Sequence, residues 1–145
     1  MFELLKKYKI KGTFNFSASE ELQNKCNAPA DKNGVYMVYK GTKEPKNLLY
    51  IGSSGQRSKD GTIKTRQSGL GGMKDRIVNG YHPKFGKVKR KYAWPEQMRI
   101  ENIAFIEVHW WVTWDYKNKD FPMDVEGLLR EEYLSEYVRL PEWHK

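Results

Sequence analysis

The sequence predicts an α/β (α+β) domain, a small three-stranded, mostly antiparallel sheet flanked by helices, with an N-terminal helical extension. Three patterns predict it. Two β-rich runs, Val35 to Tyr39 and Leu48 to Ile51, are joined by a turn-forming connection. A longer run from Ile103 to Trp114 alternates apolar and polar residues, and segments around Met73 and after Pro122 carry apolar residues at helical spacing.

Residues 1 to 32 read as the N-terminal extension and residues 33 to 145 as the domain proper. In the extension, Ser17 followed by Glu20 resembles a capping box, opening a short helix through about Cys26 that must end before Pro29. Asn33-Gly34 is a turn signal ahead of the first strand. The connection Gly41 to Lys46 suits a hairpin, and centred on Lys43 it puts Tyr36 opposite Tyr50. Because side chains alternate faces, that register sets both phenols on one side of the sheet, and a one-residue slip would separate them.

The stretch from Gly52 to Gly72 is dense in glycine and polar residues and reads as a long loop or insertion. Beyond it Leu70, Met73 and Ile77 recur at helical spacing, and Arg76 lies about 60° around from Met73, bordering the buried stripe. The segment before Ile103 carries no clear period. Ala104, Ile106, Val108, Trp110 and Val112 then alternate with period two and predict the centre of the sheet. Pro122 suits the first turn of a helix that carries Val125, Leu128, Leu129, Tyr133 and Val138 and ends before Pro141, with Glu126 near its start.

At 145 residues, with 14% aromatic residues, the chain can bury one core and so one active site. No apolar run is long enough to span a bilayer, and the start lacks a signal-peptide layout, so a cytoplasmic location is expected. The single cysteine, Cys26, excludes an internal disulfide and a cysteine-rich zinc site. A formal charge of +8 favours a polyanionic partner, of which nucleic acid is the commonest inside cells; a basic but merely solvated surface is the alternative.

Gly34-Val35-Tyr36, followed after thirteen residues by Tyr50-Ile51-Gly52, resembles the paired signature of the GIY-YIG endonucleases, with Val for Ile in the first triplet. Gly72-Met73-Lys74-Asp75-Arg76-Ile77 is similar to that family's helix with its essential arginine, and Val125-Glu126-Gly127-Leu128-Leu129 to its segment with the metal-binding glutamate. The matches come in the family's order and span about residues 33 to 144. The resemblance implies a divalent-metal-dependent endonuclease that hydrolyses phosphodiester bonds. Tyr36, Tyr50, Arg76 and Glu126 would be its catalytic residues, with Tyr36 favoured over Tyr50 as the base and Glu126 as ligand to Mg²⁺ or Mn²⁺.

These residue types suit the chemistry. A carboxylate is a hard ligand for a cation that keeps most of its waters. An arginine fork matches phosphate oxygens better than an ammonium does, although a surface salt bridge, with Asp75 or a distant acid, is the plainer reading of Arg76. A phenol titrates near pH ~10 and needs help to act as a base, and both tyrosines also suit ordinary half-buried strand positions.

Two positions depart from the family's pattern. His144, in Pro141-Glu142-Trp143-His144, stands where the family has an asparagine; it could donate to phosphate or lie in a frayed terminus. Gly80 stands one turn after the arginine, where many relatives carry His or Tyr, leaving Tyr81 or His82 as substitutes.

Arg57, Lys59, Lys64 and Arg66 in the long loop could follow a phosphate backbone, with Lys74 beside them on the arginine's helix. Lys87, Lys89, Arg90 and Lys91, bordered by Tyr81, Phe85, Tyr92 and Trp94, form a second basic run with rings able to stack on bases; a solvated helix face is the alternative. No P-loop, dinucleotide fingerprint or HExxH spacing is present, and His109 reads as a partly exposed strand residue. DNA is the expected substrate, for restriction-type or structure-directed cleavage. An RNA-directed nuclease, a noncatalytic nucleic-acid-binding module of the same fold, and a monomer or a homodimer all stay open.

Overall fold

The alternating run before Trp114 becomes the strand around which the sheet is arranged. A computed structural model describes residues 1–145, with strands β1 (Lys11–Phe16), β2 (Asn33–Lys40), β3 (Leu48–Ser53), β4 (Gln56–Arg57), β5 (Ile63–Lys64) and β6 (Ile106–Trp114). The helices are α1 (Leu22–Lys25), α2 (Gly72–Asn79), α3 (Arg90–Glu101) and α4 (Pro122–Tyr137). The fold is α+β. Its main sheet has four antiparallel strands in the order β1-β6-β2-β3, and β4 and β5 form a separate small hairpin.

The sheet is therefore one strand larger than the sequence suggests, and the extra strand comes from the segment read as a helical extension. β1 pairs with β6 along its whole length and buries Phe14 and Phe16. Upstream, Phe2, Leu5 and Tyr8 join the core beneath α4, and the Tyr8 hydroxyl donates to Asp120 at 2.6 Å. Glu20 does accept from the Ser17 N–H, at 2.8 Å, but the helix that follows is only Leu22–Lys25. Residues 1 to 32 are thus an integral part of the sheet and its core.

The sheet separates two apolar layers. Tyr36, Val38, Tyr50, Val108 and Trp110 face Met73 and Ile77 of α2, Trp94 and Met98 of α3, and Trp143 near the C-terminus. Val35, Met37, Ile51 and Trp111 face Val125, Leu129 and Tyr133 of α4. β6 is central and mostly buried on both faces; Ala104 precedes it and is exposed, as are Leu128, off the buried stripe of α4, and Val138, which caps that helix in a left-handed conformation instead of continuing it. α3, unassigned from the sequence, packs Ala93, Trp94 and Met98 inward despite Pro95. No helix is long and apolar enough to cross a membrane.

The hairpin register differs from expectation in an instructive way. Tyr36 pairs with Gly52, and Tyr50 with Val38. Near the turn Tyr39 pairs with Leu48, one residue from its expected partner, and a β-bulge between Val38 and Tyr39 adds a second, so that Tyr36 is displaced by two. An even shift preserves the face, so the two phenols still share one side. Their ring centroids are 6.3 Å apart.

Two glycines explain the paired triplets physically. A Cβ on Gly34 would run into the Trp111 backbone at the β-bulge between Asn33 and Gly34. A Cβ on Gly52 would stand 2.5 Å from Tyr36 Oη and 2.7 Å from its Cε2, because that ring lies across the glycine.

Candidate functional site

Four elements converge at the Ser53 end of β3, the edge strand. Tyr36 on β2 and Tyr50 on β3 lie on the α2–α3 side, Tyr36 wholly buried and Tyr50 8% exposed. Arg76 stands half-buried on α2. Glu126 comes from α4, in the opposite layer, and reaches the same strand end, where its Oε1 accepts from the Ser53 hydroxyl at 2.7 Å. Its charge is felt at the Tyr50 phenol together with those of Arg76 and Arg90.

A cavity of about 500 Å³ opens here, lined by Ser53, Arg76, Gly72, Lys64 and Arg66 among others, with Met123 of α4 on its far wall. No acidic side chain lines it. It brings Arg76 together with two of the cations expected from the long loop. Tyr36, Tyr50 and Glu126 are not among its lining residues.

Arg76 is not neutralised by its neighbour in sequence, because Asp75 is committed elsewhere. Asp75 accepts from Arg66 at 2.7 Å, from Asn79 at 2.7 Å and from the Leu70 N–H at 2.9 Å. These hydrogen bonds hold its carboxyl below the usual range in spite of burial, which works in the opposite direction. The first backbone donors of α2 are also taken: Gly72 N–H by the Arg66 carbonyl, Met73 N–H by Lys32 and Lys74 N–H by Pro29. An anion at this helix would therefore meet the Arg76 side chain rather than a free N-terminus.

Tyr50 is enclosed by rings, with His82 at 4.1 Å and His144 at 4.5 Å between centroids. Burial, with a contribution from Tyr36, pushes its phenol up to about 12, while Arg90 and Arg76 act in the other direction.

His82 does not have the chemistry expected of a substitute acid or base. Trp94 Nε1–H donates to its Nδ1 at 3.0 Å, so the proton sits on Nε2, which donates to the Trp143 carbonyl at 2.7 Å. Both nitrogens are committed, and burial followed by the Arg90 charge lowers its pKa to about 3. Tyr81 is 53% exposed on the surface.

His144 is not in a frayed terminus. Trp143 is 1% exposed and its N–H bonds to the Leu49 carbonyl, while His144 Nε2 accepts the Ile51 N–H at 3.0 Å. The last residues thus cover the edge of β3. Burial, then Arg130 and Lys84, lowers the His144 pKa to about 4, so the ring is neutral and its proton lies on Nδ1.

The basic residues divide into groups. Lys64, Lys87 and Lys89 are exposed, and Lys74 and Lys91 are half-buried. Arg57 ion-pairs with Asp124 at 2.9 Å and lies 3.6 Å over the Phe121 ring, tying the β4–β5 hairpin to the start of α4. Arg66 is held by Asp75. Arg90 contradicts its surface reading: it is 0% exposed and points into the core beside both tyrosines.

Ser53 and Arg130 were missed by sequence reasoning. Arg130 lies 3.3 Å from Glu126 at helical i,i+4 spacing, a pair legible from the sequence; nothing in the residue type of Ser53 announces its contact.

Both carboxylate oxygens of Glu126 are engaged within the protein, Oε1 by the Ser53 hydroxyl at 2.7 Å and Oε2 by Arg130 at 3.3 Å. Glu126 supplies one carboxylate, and no cluster of three or more His, Cys, Asp or Glu side chains exists that could hold a metal. One carboxylate with waters around it is a setting that Mg²⁺ tolerates, with Arg130 as a competing cation.

The chain was compared with models of protein families, with curated proteins and with solved structures. None matches.

Proposed function

We propose that the chain is a divalent-metal-dependent endonuclease of the GIY-YIG type that hydrolyses phosphodiester bonds of DNA. One observation supports this above the others: Tyr36, Tyr50, Arg76 and Glu126, far apart in sequence, gather at one end of β3 beside an acid-free cavity lined with cations.

In this reading Arg76 and Lys64 hold the phosphate in the cavity, and the Arg76 fork faces the charge that develops on it. A Mg²⁺ or Mn²⁺ held by Glu126 would add positive charge at the phosphate and at the leaving oxygen. Ser53 and Arg130 orient the Glu126 carboxylate. Tyr36, whose hydroxyl has no partner, acts as the base in its phenolate form: its own proton passes to solvent first, and the oxygen then takes the proton of the attacking water. Tyr50 stays protonated and donates a hydrogen bond. Exposed Lys87 and Lys89, near Tyr92, extend the contact along the backbone of the nucleic acid.

The second reading is a noncatalytic nucleic-acid-binding module of the same fold. The complete burial of Tyr36 and the placement of Arg130 beside Glu126 favour it.

Incubation with supercoiled plasmid, linear DNA, branched DNA and RNA, with and without Mg²⁺, tests both. Metal-dependent cutting that is lost in Arg76→Ala and Glu126→Gln while binding persists supports the nuclease. Binding without cutting by the parent protein overturns it, and preferential cutting of RNA corrects the substrate.

A further inference from the structure

Arg90 is a charged side chain that the sites described so far do not use, and its environment is unusual. Its guanidinium is fully buried and no carboxylate pairs with it. A buried charge without a counter-ion is costly unless other groups compensate.

The compensation comes from the candidate site itself. Nη1 donates to the Arg76 carbonyl at 2.7 Å, at the negative C-terminal end of α2, and Nη2 donates to the Tyr50 hydroxyl at 3.4 Å. The guanidinium carbon lies 5.5 Å from the Tyr36 ring centroid, 5.4 Å from Tyr50 and 5.8 Å from Trp94. Nε has no partner. Gly80 makes this possible, since a Cβ there would stand 2.9 Å from Nη1 and collide with the Arg76 carbonyl.

We propose that Arg90 is a positioning residue that fixes and polarises the Tyr50 hydroxyl as a hydrogen-bond donor to the reacting phosphate, an inference that rests on the nuclease reading above. Because Nη2–H occupies a lone pair of Tyr50 Oη, the phenolic hydrogen must point elsewhere. Withdrawal of density from that oxygen makes the O–H a stronger donor. The second donor of the fork holds the helical turn that carries Arg76, so one buried cation sets two residues of the site relative to each other. Being wholly enclosed, Arg90 acts through Tyr50 and Arg76 and does not itself touch nucleic acid.

The test has one arm that needs no activity. Biosynthetic 3-fluorotyrosine brings phenol titrations into an accessible range, and Tyr50→Phe assigns the Tyr50 signal by ¹⁹F NMR. Arg90→Met should raise the Tyr50 midpoint by about one unit or more, and Arg90→Lys should restore most of it. Gly80→Ala, which displaces the fork while keeping the charge, should move the midpoint in the same direction as Arg90→Met and serves if that variant fails to fold. An unchanged midpoint in the folded variants overturns the proposal.

The second arm is cleavage. Arg90→Met should lower kcat roughly 10- to 100-fold at nearly constant KM. The same change made in a Tyr50→Phe background should cost clearly less, since only the part that Arg90 exerts through the Arg76 carbonyl is then left. Full additivity of the two changes overturns the proposal. Absence of cleavage by the parent protein refutes the nuclease reading instead, and the titration then decides by itself whether Arg90 governs Tyr50.

Discussion

Gly52→Ala perturbs the site by a single methyl group whose collision is defined by the structure. The new Cβ would lie 2.5 Å from Tyr36 Oη and 2.7 Å from Cε2, whereas unstrained carbon contacts lie at about 3.5–4.0 Å. Either the ring or β3 must therefore give by about 1 Å. The ring has no route to solvent, because Tyr36 is 0% exposed beneath α2 and α3. Overpacking of this kind costs about 1–3 kcal/mol, which lowers the melting temperature by several degrees in a domain of this size. A displacement of ~1 Å at a reacting group also costs on the order of 100-fold in rate. Urea unfolding of Gly52→Ala measures the first effect and plasmid cleavage the second. The cause is isolated by repeating the substitution in Tyr36→Leu, which lacks the colliding atoms. There the penalty should fall below about 0.5 kcal/mol. An equal penalty in both backgrounds would show that the ring over Gly52 is not what requires glycine.

Four further outcomes follow from the same structure. His82 and His144 are held neutral with pKa values lowered to about 3 and about 4, so the unfolded chain binds more protons than the native one below its ordinary histidine pKa of ~6.5. The stability they contribute is complete above that pH and is lost as pH falls toward those lowered values; unfolding midpoints should drop across this window, and less so in His144→Gln. Asp75→Ala strands Arg66, Asn79 and the Leu70 N–H around a nearly buried position, and should cost about 2–4 kcal/mol and expose the Gly55–Gly71 loop to limited proteolysis. Deletion of residues 1 to 16 removes β1 and bares the edge of β6, so far-ultraviolet circular dichroism should report loss of the fold rather than of a dispensable arm. Lys87→Ala and Lys89→Ala should each reduce the slope of log affinity for DNA against log salt by about one, measured by fluorescence anisotropy, whereas Arg57→Ala, already paired with Asp124, should change it less.

Much of the sheet was legible because the β-rich runs carry their own signal. β2 and β3 needed only β-branched and aromatic residues between turn formers, and β6 only its alternation. β1 was not legible: Lys11, Gly12, Thr13 and Asn15 surround its two buried phenylalanines, as befits an edge strand with one face in solvent, and its partner lies about 95 residues away. α3 was obscured by Pro95 and by the basic run that leads into it.

The chain's local pattern, by itself, determined that Arg76 borders a buried helix stripe and that Glu126 lies near the start of the last helix. A period of about 3.6 residues sets a helix face without reference to distant partners, whereas the shared face of Tyr36 and Tyr50 also needed the β-bulge between Val38 and Tyr39. Only the tertiary structure decided that Glu126 reaches the strand end from the opposite layer, that the fold engages both ring nitrogens of His82 and Nε2 of His144, and that Arg90 lies inside rather than on the surface. Whether a cation meets water, a phenol or a carbonyl depends on what distant segments bring to it, and that is a property of packing rather than of sequence pattern.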